Sequence, residues 1–413
     1  MNFRDMIKDA SEQIKKCGDF AKDGITHICS EFGPRECGSE AERKAQEYMA
    51  EVLKNYADDV TREKFEANPR AFMAFVPIAG SLLLGSTAAN LLGAFKKNKA
   101  AAVSIPLLAA ALASVVGEFA LYKQPLDPFF KKVESGDVIA VRKATGETKR
   151  RIIISGHTDS APEWTYTYKL GSKGVISVVG YALAGLAYDI VSTTVSLKSK
   201  NEKLKKGMAL GQLAFVPDFA ALYDFTNSKR FVDGASDDLS GCYVANSVMK
   251  FLSDNDIRFE NTEVMVLLAG GEECGLRGTK AYFKAHPELL NDGVETIYVG
   301  FDTVRDADYM MIYKKDLNGL VKLDDKTCEL VKDAAAKCGE DVPFGAIPLG
   351  STDAAAAAQA GIKAASFVAM DPAPARYYHT RLDTADNLCP ETIAKGVEIA
   401  LQTVFDFDEK GLN

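Results

Sequence analysis

The chain has 413 residues, 47% apolar and 26% charged, a composition that excludes disorder, collagen-like sequence and a many-span transporter. Lys plus Arg number 49 against 57 Asp plus Glu, so the net charge is −8 and no basic footprint for nucleic acid exists. The length allows two or three domains, or one large α/β domain carrying insertions.

Residues 1–66 read as helices with one loop between them. Apolar spacing through Ala45, Tyr48, Met49, Leu53 and Tyr56 predicts a helix over about 40–57, with Ser39 as its N-cap. The first residues are amphipathic and charged, with no secretory signal expected in them. Eight scattered cysteines form no CxxC pair, which suits free thiols in a reducing compartment.

Two hydrophobic hairpins follow. Residues 71–95 hold 25 consecutive uncharged residues and 100–117 hold 18 more, joined by Lys96, Lys97, Asn98 and Lys99. As helices they would extend about 37 Å and about 27 Å, against a hydrocarbon core of about 30 Å. The second hairpin, 174–197 and 208–223, is the weaker candidate, interrupted by Asp189, Pro217 and Asp218 around the basic tip 198–206. One reading is membrane association through 71–117 and, second, 174–223; the alternative is a cytoplasmic protein with a buried bundle or a homo-oligomer interface. Lys-rich tips favour a body outside the cell, the free cysteines a body inside.

From about 134, β-type runs alternate with helices: strands at 137–143, 150–155, 262–269, 296–301, 309–313 and 364–369, and helices at 239–253, 277–287, 324–338, 352–360 and 391–406. This predicts an α/β fold, a mixed, largely parallel sheet flanked by helices. The expected organisation is a catalytic domain in three pieces (1–66, 127–170 and 230–413), interrupted by the hairpin insertions 67–126 and 171–229.

Chemistry-bearing residues sit where these strands end. RIIISGHTDS places His157 and Asp159 after an apolar strand, and in extended geometry residues i and i+2 point the same way, so Asp159 lies beside the imidazole. GASDDLSG (234–241) brings Asp237 and Asp238 to a helix start, where capping is the plain alternative. LLAGGEECGLRG (267–278) brings Glu272 and Glu273 out of a buried strand, IYVGFD ends in Asp302, and YYHTRLDTADNL presents His379 in a loop. Ligands in open α/β sheets converge beyond the carboxyl ends of the strands, so these dispersed positions can be one site. Mixed O/N donors suit zinc, with manganese or cobalt behind it. Two divalent cations balance three ligating carboxylates and a bridging hydroxide, whereas one leaves the set net negative.

The ordered set HTD, GASDDLSG, GGEECGLRG, GFD and YYHTRLDT resembles the M28 family of co-catalytic zinc peptidases, which includes aminopeptidases and glutamate-carboxypeptidase-like enzymes. FGPRECGSEAERKAQEYMAEVL (32–53) and LGSTDAAAAAQAGIKAASF (349–367) extend the likeness, which fails over the two hairpins. The resemblance implies a zinc-exopeptidase-like fold and two Zn2+ per chain. Asp237 would bridge both, His157 and Asp302 completing one and Glu273 and His379 the other. Glu272 would be the general base for a metal-bridging hydroxide and Asp159 the partner of His157, with Asp238 supporting the loop. Gly350, Thr352 and Asp353 either shape the substrate pocket or cap a helix, Cys274 is read as packing, Arg35 as an anchor, and His27 and His286 match no family position. The expected function is a dinuclear zinc exopeptidase acting on short peptides, most simply an aminopeptidase. Alternatives are a glutamate-carboxypeptidase-like hydrolase, a single-zinc glutaminyl-cyclase-like acyltransferase and a non-catalytic membrane-associated binding protein.

Overall fold

The computed structural model describes residues 3–5, 7, 9–96 and 99–412; Lys97 and Asn98 of the first basic tip lie outside the described residues. The chain divides into two compact units, one of Met1–Pro69, Lys132–Pro162 and Phe231–Asn413, the other of Arg70–Lys131 and Glu163–Arg230. In chain order the strands are β1 (Asp59–Ala67), β2 (Val133–Arg142), β3 (Arg150–His157), β4 (Pro162–Trp164), β5 (Thr226–Phe231) and β6 (Thr262–Ala269). After them come β7 (Glu295–Val304), β8 (Met310–Asp316), β9 (Val321–Lys322), β10 (Phe344–Ala346) and β11 (Lys363–Ala369).

The first unit is built on a nine-stranded mixed sheet in the order β1-β2-β6-β3-β7-β11-β8-β10, with β9 on β8. Its centre, β6-β3-β7-β11, is parallel throughout. Burial explains this: Ile152, Ile153 and Ile154 of β3 and Val266, Leu267 and Leu268 of β6 are all fully buried. A strand apolar on both faces needs helices on both. Four parallel neighbours also bring four carboxyl ends to one edge of the sheet, where a site can assemble.

The reading of 1–66 as helical is corrected at its end, because Asp59–Ala67 is a strand paired antiparallel to β2. This edge strand, DVTREKFEA, is mostly charged and half exposed; charge on an edge blunts unwanted pairing and hides the strand signal. The preceding helix, Glu40–Leu53, starts where expected, with the Ser39 side chain accepting the Glu42 N–H at 3.1 Å, and ends at Leu53, short of 57.

In the second unit, Pro69–Lys96, Lys99–Ala120 and Ser172–Lys198 are long and apolar enough to cross a membrane. Much of their surface is apolar and exposed, including Leu92, Phe95, Ile105, Leu112, Ile176 and Leu183. Asp189 does not interrupt its helix, which runs unbroken over Ser172–Lys198. Its carboxylate is buried and accepts a hydrogen bond from Gln212, while Asn90 donates to Thr193 Oγ1 at 2.8 Å. A polar partner within the bundle thus offsets part of the penalty of burying an acid in an apolar helix.

Candidate metal centre

The strand ends converge as the parallel register requires. His157, the last residue of β3, pairs with Ala269, the last of β6, so Glu272 and Glu273 follow immediately beyond the same edge. Ser155 pairs with Gly300, which puts Asp302 level with His157 on the neighbouring strand. Asp237 precedes the helix Leu239–Asp254, and His379 lies in the loop after β11.

Asp238 secures three of these elements at once. Its Oδ1 caps the helix by accepting the Gly241 N–H at 2.9 Å and also accepts the Thr303 N–H at 3.2 Å; Oδ2 accepts the His157 N–H at 3.0 Å. The helix start can sit this close to the sheet only without side chains at the crossing. A Cβ on Gly156 would meet the Gly241 carbonyl carbon, and one on Gly241 would collide with the Phe301 carbonyl oxygen.

The donors form three overlapping groups among the described residues: His157 with Asp237 and Asp302, Asp237 with Glu273 and His379, and His157 with Glu272 and Glu273. Within each, one ligand atom per residue lies within 4.8 Å of the others. Asp237 turns its two oxygens to different imidazoles, Oδ1 at 3.2 Å from His157 Nε2 and Oδ2 at 3.0 Å from His379 Nε2. Glu273 Oε1 is 3.1 Å from His379 Nε2, and Glu272 Oε2 is 3.9 Å from His157 Nε2. Among the described residues, no group makes a well-aligned hydrogen bond to Asp237 Oδ2 or Glu273 Oε1, both of which are buried. Oxygen and nitrogen donors at this spacing match a tetrahedral ion with ligands at about 2.0–2.2 Å, so the residues fit zinc.

Electrostatics point the same way. Burial, with the Asp237 carboxylate beside it, raises Asp302 to about 7. Burial and the neighbouring Glu273 push Glu272 well above the carboxylate range. Burial alone would depress His379, but Glu273 and Asp237 outweigh it and raise the imidazole to about 10. Asp237 goes the other way, held low against burial by the two imidazoles. The carboxyls and imidazoles thus hold protons among themselves, and a bound cation would take the place of those protons.

Asp159 contacts more than its histidine. Oδ1 is 3.4 Å from His157 Nδ1, and the two carboxylate oxygens also accept the Glu272 and Glu273 N–H groups at 2.9 and 3.1 Å. One carboxylate therefore orients an imidazole and the double-glutamate turn together. Arg35 is fully buried and donates to the Thr158, Asp233 and Gly234 carbonyls, tying the loop at 33–38 to the site loops. His286 lies between Glu63 and Glu288, and His27 packs on Tyr48.

Asp383 has a structural part that sequence reasoning missed. It is fully buried, and its oxygens accept the Ser236 and Asp237 N–H groups at 2.7 and 3.0 Å, fixing the backbone that presents Asp237. Asp316 was missed as well: it accepts from Ser351 Oγ, Thr352 N and Thr352 Oγ1. Thr352 accordingly makes no side-chain cap on the helix Asp353–Ala360, while Asp353 lines the same recess as His157, Asp238 and Asp302. The only sequence signal for Asp383 was its place in the HTRLDT loop.

Comparison with known proteins follows this geometry. The family model described as Peptidase family M28 matches residues 219–404. Aminopeptidase YwaD of Bacillus subtilis (strain 168) is 21% identical, over 98% of this chain and 88% of its own length. Among solved structures, BSAP, a zinc aminopeptidase from Bacillus subtilis, superposes with a TM-score of 0.56 at 14% identity, covering 94% of each chain. The glutaminyl cyclase of Fimbriiglobus ruber superposes with a TM-score of 0.54 at 12% identity, over 94% of this chain and 95% of that one.

Proposed function

We propose, from the premise that this chain belongs to peptidase family M28 and is a metallopeptidase, that it is a dinuclear zinc exopeptidase removing residues from the amino end of short peptides. The observation that carries the proposal is the division of Asp237, one oxygen toward each imidazole. His157, Asp302 and Asp237 Oδ1 would hold one Zn2+, and Glu273, His379 and Asp237 Oδ2 the other. When bound, the pair supplies Lewis-acid polarisation of the scissile carbonyl and makes water nucleophilic at neutral pH.

The chain's own groups do the rest. Glu272, 9% exposed and bordering the His157–Glu273 group, takes the proton of the attacking water and delivers it to the leaving amine. Asp159 holds His157 and the Glu272–Glu273 turn in register, Asp238 fixes the ends of β3 and β7, and Asp383 fixes the backbone of Asp237. Zinc counting by plasma mass spectrometry and hydrolysis of a peptide panel test this reading. Two zinc ions per chain and cleavage of free aminoacyl peptides are expected, with N-blocked peptides left intact. A single zinc with cyclisation of N-terminal glutamine would instead favour an acyltransferase.

The second unit supports membrane association through 71–117 and 174–223. Three of its helices have the length, and their exposed Leu, Ile and Phe side chains have the chemistry, to face lipid. Extraction that requires detergent, and not salt or alkali, is the expected result.

A further inference from the structure

Two cysteines meet beside the double-glutamate turn. Cys37 lies in the segment 33–38 and Cys274 directly follows Glu273. Gly271, at φ +64°, passes under both: a Cβ there would stand 2.8 Å from Cys37 Sγ and 3.2 Å from Cys274 Sγ, so the absent side chain leaves the space the sulfurs share. Each cysteine is 5% exposed, out of reach of bulky reagents but not of a small one.

The backbone on both sides is anchored. Arg35 holds the first segment through the Thr158, Asp233 and Gly234 carbonyls, and the Gly38 N–H donates to Glu42 at 2.6 Å. Asp159 holds the second through the Glu272 and Glu273 amides. The two segments are remote in sequence and their sulfurs border one small space at Gly271, so bond formation calls for local rotation and not for the transport of a loop.

We propose that Cys37 and Cys274 are a modification site, closing under hydrogen peroxide to a reversible disulfide that throttles hydrolysis at the adjoining centre. One thiol reacts with peroxide to a sulfenic acid, releasing water; the second thiol displaces that oxygen as a second water, and the S–S bond forms. Two thiols are oxidised and one peroxide is reduced to two waters. A dithiol reductant reverses the bond by exchange. A disulfide demands Cβ atoms about 3.5–4.5 Å apart, and any pull on Cys274 is transmitted to Glu273 and Glu272 next to it. Misplacement by about 1 Å at such a site costs up to about a hundredfold in rate. The throttle rests on the peptidase reading above; the cross-link does not.

The test treats the full chain, zinc-loaded, with hydrogen peroxide, then alkylates free thiols, measures intact mass, maps linked peptides and assays peptide hydrolysis. Loss of two hydrogens, a peptide joining Cys37 to Cys274, and at least a roughly tenfold fall in hydrolysis restored by dithiothreitol are expected. Cys37→Ser should keep basal hydrolysis and lose the response, and Cys274→Ser serves if that variant fails to fold. Absence of the linked peptide overturns the site; a linked protein as active as the reduced one, or a Cys37→Ser protein equally inhibited, overturns the throttle. A chain inactive even when reduced overturns the peptidase reading and the throttle together, while mass still judges the cross-link.

Discussion

Replacing Asp383 by Asn perturbs the presentation of Asp237 without changing the side chain of any proposed zinc ligand. The carboxylate is fully buried and accepts one amide on each oxygen, Ser236 at 2.7 Å and Asp237 at 3.0 Å. Asparagine keeps the shape but turns one acceptor into an NH2 group, so one of the two amides must face a donor. A buried amide left without its acceptor costs about 1–3 kcal/mol. Urea unfolding of zinc-free protein should register that loss directly. Because the affected backbone carries the carboxylate shared by both donor triads, zinc affinity should also fall about 10- to 100-fold, the range for groups that orient metal ligands. Competition with a chromogenic chelator measures it. An Asp383→Asn protein with the parent's unfolding midpoint and the parent's zinc affinity would refute the reasoning.

Glu272→Gln should retain both zinc ions by mass spectrometry while hydrolysis drops about 10²- to 10⁴-fold, the contribution of a positioned acid–base group; an active variant would remove Glu272 from that role. Gly241→Ala should destabilise the protein strongly, since its Cβ would collide with the backbone oxygen of Phe301, and circular-dichroism melting would record it. Glu42 is fully buried, and burial together with the Asp159 charge raises it to about 8. The folded chain therefore prefers Glu42 protonated, so its contribution is fully present below the unfolded value of about 4.5 and is lost as pH rises through about 8. Glu42→Gln should flatten the decline in unfolding free energy between about pH 4.5 and about pH 8; an unchanged slope would show that another group titrates there.

The parts of the fold that could be read from the sequence are those where one segment carries its own signal. The continuous apolar runs RRIIIS and TEVMVLLA announce buried central strands, because nothing else in a soluble body accommodates apolar side chains on both faces. The same rule placed His157, Glu272, Glu273 and Asp302 at one edge of the sheet, and the structure brings them together with Asp237 and His379. What the sequence hid depends on partners far along the chain. Asp383 is 146 residues from the amide of Asp237 that it accepts, and no local spacing announces a bond of that reach. Asp316 serves Thr352 across 36 residues, which replaced the expected local cap. β1 was hidden differently: its charged alternation resembles a solvated helix until β2 supplies the other half of the ladder. Asp189 looked like a breaker because its partner, Gln212, lies on another segment.

Both long excursions close at their necks. Ala67 pairs with Val133 at the end of the β1–β2 ladder, and the Val232 N–H donates to the Ala161 carbonyl at 3.0 Å. Seen from the catalytic body, each insertion is thus the oversized turn of a hairpin whose stems are already paired. Closure entropy grows only with the logarithm of loop length, so exchanging either excursion for a few turn residues should leave both stems zipped. The ladder of β1 with β2 and the Ala161–Val232 pair therefore carry the chain across both excursions, whose lengths enter only as two logarithmic closure terms.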